Sequence, residues 1–159
     1  FCTAPLEEDV VIAGYCKVRL FASSTTDDMK AFVHLIALDE NDQQVPFGVD
    51  THFDKGGVIC GGALKFSHRM EDPEKTTEYR PYHTHQEADC QKLVPGEVVE
   101  ATIEMPPTTA RLKKGWKLLL SVAPVGAEMY EPHGDYVAGS ENTIYTGPEH
   151  DSYLQIAVI

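Results

Sequence analysis

Tyr15-Cys16-Lys17-Val18-Arg19-Leu20-Phe21-Ala22-Ser23 is the stretch that decides the fold class. Cys16, Val18, Leu20 and Ala22 fall on one side of a two-residue period, and Lys17 and Arg19 on the other. Side chains of an extended chain point alternately to opposite faces, so this stretch predicts a strand with one face in a core and one in water.

The same grammar continues outward. Residues 31–38 are apolar on both faces except at His34, which predicts a central strand covered on both sides. Asp39-Glu40-Asn41-Asp42 is a turn by composition, and residues 45–49 are expected to return as the partner strand. Residues 58–66 are strand-like but contain Gly61-Gly62, a sign of a bulge or of close backbone approach. Farther on, Val99, Ala101, Ile103 and Met105 alternate with Glu100, Thr102 and Glu104, and Pro106-Pro107 is expected to end that strand. Lys113-Lys114-Gly115 reads as a tight turn into a strand carrying Trp116, Leu118, Leu120 and Val122. Residues 124–139 form a loop, and residues 143–146 and 153–158 supply the last strands. No stretch keeps a helical period over ten residues. Roughly eight or nine short strands separated by turn signals predict an all-β sandwich or barrel, with residues 1–159 as a single domain.

Composition narrows the function classes. The 159 residues carry 25 acidic and 13 basic side chains, a net charge of −12 that repels phosphate backbones and anionic lipid. Neither nucleic acid nor membrane is therefore an expected partner. The longest apolar runs, such as Leu118-Leu119-Leu120, fall far short of the ~20 residues a spanning helix needs. The chain starts at Phe1 and ends on the apolar Ile156-Ala157-Val158-Ile159, so both ends look cut and a domain of a longer protein is expected. Cysteines at 2, 16, 60 and 90 allow three pairings and include no C-x-x-C; buried reduced thiols are favoured over disulfides.

Residues 67–97 break the pattern. Pro73, Pro81 and Pro95 each block a regular ladder, and the stretch also carries three histidines and many charges. A loop this long in a compact domain is commonly a functional or docking surface. Asp72-Pro73-Glu74-Lys75 predicts a short helical turn, with Asp72 as its cap and Pro73 first inside. His83-Thr84-His85, with His68 before it and Glu87 and Asp89 after it, has metal-ligand spacing, since two residues one apart on a strand point the same way. The flanking prolines and tyrosines favour an ordered loop with hydrogen-bonded or exposed imidazoles, and no metal or other cofactor is expected. Tyr79, Tyr82, Tyr130, Tyr136 and Tyr145 allow a stand-alone carbohydrate-binding module as the alternative; the plainer reading is that such rings cap sandwich edges with their hydroxyls wet.

Catalytic signatures are missing. No serine stands in G-x-S-x-G, the strained turn that exposes an α/β-hydrolase nucleophile. There is no H-E-x-x-H, P-loop or G-x-G-x-x-G. No catalytic residue is assigned.

Several short blocks in order carry a family resemblance. They are Ala63-Leu64-Lys65-Phe66-Ser67-His68-Arg69, Asp72-Pro73-Glu74, Arg80-Pro81-Tyr82-His83-Thr84-His85 and Leu93-Val94-Pro95-Gly96-Glu97. With the opening Ala4-Pro5-Leu6-Glu7-Glu8-Asp9, the later Lys114-Gly115-Trp116-Lys117-Leu118 and the closing Ser152-Tyr153-Leu154-Gln155-Ile156-Ala157-Val158, the likeness spans nearly the whole chain. The chain resembles the C-terminal domain of X-prolyl dipeptidyl-peptidases and of the related cocaine-esterase and glutaryl-acylase hydrolases. Pro124-Val125-Gly126-Ala127-Glu128 and residues 51–57 depart from the family pattern.

The resemblance implies a jelly-roll β-sandwich of galactose-binding-domain-like topology, without implying sugar binding. It places the Ser-His-Asp triad in an upstream α/β-hydrolase domain, on which this domain packs as a non-catalytic accessory. The catalytic domain of the same polypeptide is the expected partner, and any homo-oligomer is expected to form through that parent. Among compartments the cytoplasm is preferred to secretion. Residues 67–97 are the candidate docking face, with Arg69, Arg80 and Tyr82 as anchors and His83 and His85 beside them, because Arg and Tyr dominate buried contacts.

Overall fold

A computed structural model describes residues 1–47, 57–124 and 139–159. The strands are β1 (Val10–Ser24), β2 (Lys30–Leu38), β3 (Gln44–Val45), β4 (Cys60–Lys65), β5 (Val99–Leu112), β6 (Lys117–Ala123), β7 (Asn142–Tyr145) and β8 (Tyr153–Gln155). The only helical pieces among the described residues are two three-residue 3-10 turns, Phe66–His68 and Glu87–Asp89. The chain is thus all-β, as its periodicity predicts.

Two antiparallel sheets form. In one, β1 pairs along one edge with β5 and along the other with β7 and then β8. In the other, β2 is central, with β4 and β3 on one edge and β6 on the opposite edge. Their apolar faces meet in one core. From β1 it takes Cys16, Val18, Leu20 and Ala22, and from β5 Ala101, Ile103 and Met105. Ala31, Val33, Leu35 and Ala37 of β2 are at most 1% exposed, while His34, Ile36 and Leu38 on its other face are only half-buried. The strand is central in its sheet, but its second face is incompletely covered.

Both chain ends serve as edge strands. Phe1 and Leu120 exchange backbone hydrogen bonds at 2.9 and 2.8 Å, Thr3 donates to the Leu118 carbonyl at 2.9 Å, and Leu6 to that of Trp116 at 2.8 Å. The first residues therefore run along β6. At the other end the chain continues past β8 beside β1, where Ala13 donates to Ala157 O at 2.9 Å and Ile159 to Val11 O at 3.0 Å.

Turns match their chemistry. Asp39 Oδ1 accepts the N–H groups of Asn41 and Gln43 at 2.8 and 2.9 Å, and Asp42 takes φ +60°. Those two donors hold the Asp39 carboxyl below its ordinary pKa. Gly115 at φ +85° lets the Lys113–Trp116 turn close. The return strand expected over residues 45–49 is present as the short β3, paired with Ala37 and Leu38 of β2, while Pro46 and Phe47 lie outside any strand. Residues 48–49 and most of the loop 124–139, at 125–138, lie outside the described residues.

One expectation fails. Pro106-Pro107 does not end β5, which runs through both to Leu112. Cys16 pairs with Met105 and Gly14 with Thr108, so Pro106 and Pro107 together oppose Tyr15. This is a β-bulge, where the ladder is already interrupted and a missing N–H is tolerated, on a strand at the edge of its sheet. The extra residue also shifts the inward phase of β5 from Met105 to Ala110 and Leu112.

Gly61-Gly62 resolves as close approach, not as a bulge, since β4 keeps continuous register with β2. A Cβ on Gly62 would clash with the Glu104 carbonyl oxygen of β5, across the gap between the sheets. One on Gly61 would stand 3.0 Å from Val33 O and 2.8 Å from His34 Cδ2. All four cysteines are free, with Cys16 and Cys60 buried and Cys2 and Cys90 exposed. Cys16 and Cys60 belong to the facing sheets, and the neighbouring Cys16 thiol together with burial raises the Cys60 pKa.

Because the obstacle at Gly62 is backbone on the facing sheet, Gly62→Ala forces the sheets apart locally. The expected loss is about 1–3 kcal/mol of unfolding free energy, read from the urea midpoint. An unchanged midpoint would mean that the two sheets do not approach so closely here.

Candidate functional site

Residues 67–97 carry the chain from β4 in one sheet to β5 in the other. Their two ends are stitched together on the turn between β1 and β2. Asp28 Oδ1 accepts the N–H groups of Met29 and Ser67, both at 3.0 Å, and its Oδ2 lies 3.7 Å from both Lys65 Nζ and Lys92 Nζ. Leu93 donates to Asp27 O and Gly96 to Ser24 O, each at 2.8 Å, and the Leu93 side chain enters the core. Gln91 donates to Ser67 O at 2.8 Å. Arg69 completes the closure: its Nη1 donates to Phe66 O at 3.0 Å and to Gln91 O at 2.6 Å. Arg69 is thus engaged inside the loop.

The middle of the loop folds back on itself. Asp72 donates its backbone N–H to Tyr82 O at 2.8 Å, Thr84 donates to Met70 O at 3.1 Å, and Glu71 bridges His83. The stretch Asp72-Pro73-Glu74-Lys75, where a short helical turn is expected, closes as a single hydrogen-bonded turn and not as a helix, with Asp72 Oδ1 accepting Glu74 N–H at 3.0 Å and Asp72 O accepting Thr76 N–H at 2.8 Å. The Lys75 ammonium, 2.8 Å away, and the Glu74 N–H hold the Asp72 carboxyl below its ordinary pKa. Thr76 Oγ1 accepts Tyr82 N–H at 3.0 Å.

Arg80 leaves the loop to meet β5, its Nε 2.5 Å from Glu104 Oε1, and this carboxylate raises the guanidinium pKa. Tyr82 lies under two cations, 4.9 Å from Lys75 Nζ and 5.6 Å from Arg80 Cζ. The loop is therefore tied at its ends and through its middle, and Tyr79, 58% exposed, projects from it.

The histidines divide. His83 is buried, and its Nε2 has no hydrogen-bond partner. His85 is exposed at φ +51°. The His83 and His85 rings are 5.8 Å apart by centroid, and the His68 and His85 rings 6.4 Å. The three imidazoles are neighbours, yet among the described residues no group of three or more His, Cys, Asp or Glu could hold a metal ion. Ser67 is buried, with its hydroxyl unpartnered.

Sequence reasoning missed Asp28 and Glu104, the carboxylates that fix the loop. Glu104 sits on the polar phase of β5, so an outward charge was legible, but its pairing with a residue 24 positions away was not. Asp28 had only turn composition as a signal. Tyr130 and Tyr136 lie outside the described residues.

Burial, above all, pushes the His83 pKa below its ordinary 6.5, against a raising influence from Glu71. The folded state thus binds this proton less readily than the unfolded chain. The stabilising contribution of neutral His83 is complete above the unfolded pKa of 6.5 and is lost as pH falls below it. The urea midpoint is expected to fall on acidification below that value, with a shallower fall in a His83→Gln variant; identical pH profiles would contradict this burial. Arg69→Met removes the side-chain donor to Gln91 O and leaves Phe66 O with only the backbone N–H of residue 69, and the expected cost is about 1–3 kcal/mol, with faster amide exchange over residues 87–97.

Comparison with known proteins gives this loop and its sandwich a context. The model described as the X-Pro dipeptidyl-peptidase C-terminal non-catalytic domain matches residues 1–155. A Mycobacterium bovis protein named as a serine esterase is 28% identical over 163 residues, covering 100% of this chain and 23% of its own length. The crystal structure of a CocE/NonD family hydrolase from Staphylococcus aureus superposes with a TM-score of 0.87 at 28% identity, covering 100% of this chain and 30% of the hydrolase. An aminopeptidase from the marine sediment archaeon Thaumarchaeota archaeon shares the fold, with a TM-score of 0.70 at 19% identity over 25% of its chain. The chain spans about a quarter of the length of the curated relatives it matches. On the match across nearly all its residues, the chain belongs to the family of X-Pro dipeptidyl-peptidase C-terminal non-catalytic domains.

Proposed function

We propose that residues 1–159 are a single jelly-roll sandwich of galactose-binding-like topology that serves as the non-catalytic accessory domain of a serine hydrolase. The parent is of the X-Pro dipeptidyl-peptidase or acyl-esterase type. In this reading the domain packs on an α/β-hydrolase domain of the same polypeptide and stabilises it. The carrying observation is the family match over residues 1–155, joined to hydrolase relatives of which such a domain is less than a third.

The loop of residues 67–97 is the proposed docking face. Its support is physical. The ties through Asp28, Arg69, Asp72 and Glu104 give it a fixed shape before any partner arrives, which lowers the ordering cost of association. Within that shape Arg69 and His83 act as internal supports. Arg80, Tyr82 and His85 keep accessible surface, and Tyr79 adds an aromatic anchor.

The test uses the full-length parent. Tyr79→Ala with His85→Ala truncates two exposed groups and leaves the domain's own core intact. The expected result is a lower thermal midpoint for the catalytic domain, with about 1–4 kcal/mol of docking lost and turnover of an X-Pro peptide or an ester kept per folded molecule. An unchanged midpoint would remove the loop from the interface. Hydrolysis of such a substrate by the purified chain alone would overturn the non-catalytic reading.

A further inference from the structure

An apolar gap of about 220 Å³ opens between the two sheets on the side where the chain begins. Phe1, Thr3, Leu118 and Leu120 line it from one sheet, and Ile144 and Leu154 from the other. Phe1 and Leu120 form the last pair of the edge ladder and exchange both backbone hydrogen bonds. Directly opposed residues on antiparallel strands place their side chains on the same face, and both of these face the gap.

The ladder has an unused continuation. Leu118 and Leu120 turn their N–H and C=O groups toward the N-terminal segment. By the two-residue period Val122 is the next to do so, and β6 extends to Ala123. No partner for this edge of Val122 lies among the described residues. Its side chain packs against the core on the same face as Leu120.

We infer that the polypeptide immediately preceding Phe1 in the parent continues this edge strand. The second residue upstream exchanges two hydrogen bonds with Val122 and lays an apolar side chain over the open end of the gap. This rests on the accessory-domain reading above. The occupant follows from chain connectivity. Relatives hold roughly three-quarters of their length outside this domain, the family's domain is C-terminal, and such a chain must enter at Phe1, which itself lines the gap. An open edge is a template for pairing, and a tethered segment reaches it at high effective concentration. The side chain is apolar because its neighbours are Phe1, Leu120 and Val122.

Amide hydrogen exchange of the full-length parent tests this at Val122. Replacing the two residues before Phe1 by Pro-Pro removes the donor and the extended pairing, and is expected to speed Val122 exchange by about tenfold or more. Replacement by Val-Val is expected to keep the protection. The inference is overturned if Val122 of the unaltered parent exchanges as an unprotected amide, or if Pro-Pro leaves its protection unchanged. It is also overturned if protection grows with protein concentration, which marks a second copy on the edge. The outcomes are separable from the underlying reading: a parent with no hydrolase segment before Phe1 fails that reading, whereas a docked domain with an unprotected Val122 fails this inference alone.

Discussion

The two-residue phase of β1 constrains everything around it. Cys16, Val18, Leu20 and Ala22 fill the core from this one strand, and β5, β7 and β8 all take their register from its edges. A slip by one residue would carry Lys17 and Arg19 inward, and burying unpaired charges costs several kcal/mol, so the phase is strongly specified. On the outer face Arg19 instead lies 2.7 Å from Glu100 and 4.9 Å from the Phe21 ring centre. The bulge at Pro106-Pro107 obeys the same constraint: β5 carries one residue more than β1 across this stretch, and the bulge absorbs it so that both halves still face inward.

Local rules made most of this legible. Alternation located β1 and β5, and a run apolar on both faces located β2; an aspartate and a glycine located two of the turns; proline density located the long loop. The Pro106-Pro107 error has a physical source. Proline forbids a ladder hydrogen bond, but whether one is needed at that point depends on the partner strand, some 90 positions earlier in the chain. The pairing of Arg80 with Glu104 and of Ser67 with Asp28 was hidden for the same reason. Gly61-Gly62 is intermediate: the absence of side chains announced a close approach, and only the packed sheets say that it is to the backbone at Glu104.

The acidic surface and the loop are linked. Several of the scarce cations are committed to carboxylates, as in Arg80–Glu104, Lys75–Asp72, Arg111–Asp9 and Lys117–Asp42. Exposed pairs of this kind add little stability, so their effect is to orient side chains and to leave an excess of negative charge. Within the loop such pairs act beside backbone ties, and the combination turns a segment without regular structure into a shaped surface.

The pairing of β1 also sets an order of biosynthesis. A chain is made from its N-terminus, yet β1 finds one edge partner only when residues 99–112 exist and the other only when residues 142–155 do. The β2–β4 pair closes much sooner, because both strands lie within residues 30–65. The first long strand of this domain to be made therefore waits for both its edge partners, and its alternating apolar face must stay uncovered while β2 and β4 pair. Lys17 and Arg19, on the opposite face, are then the charges that break the apolar sequence and keep the waiting strand from pairing with a neighbour's.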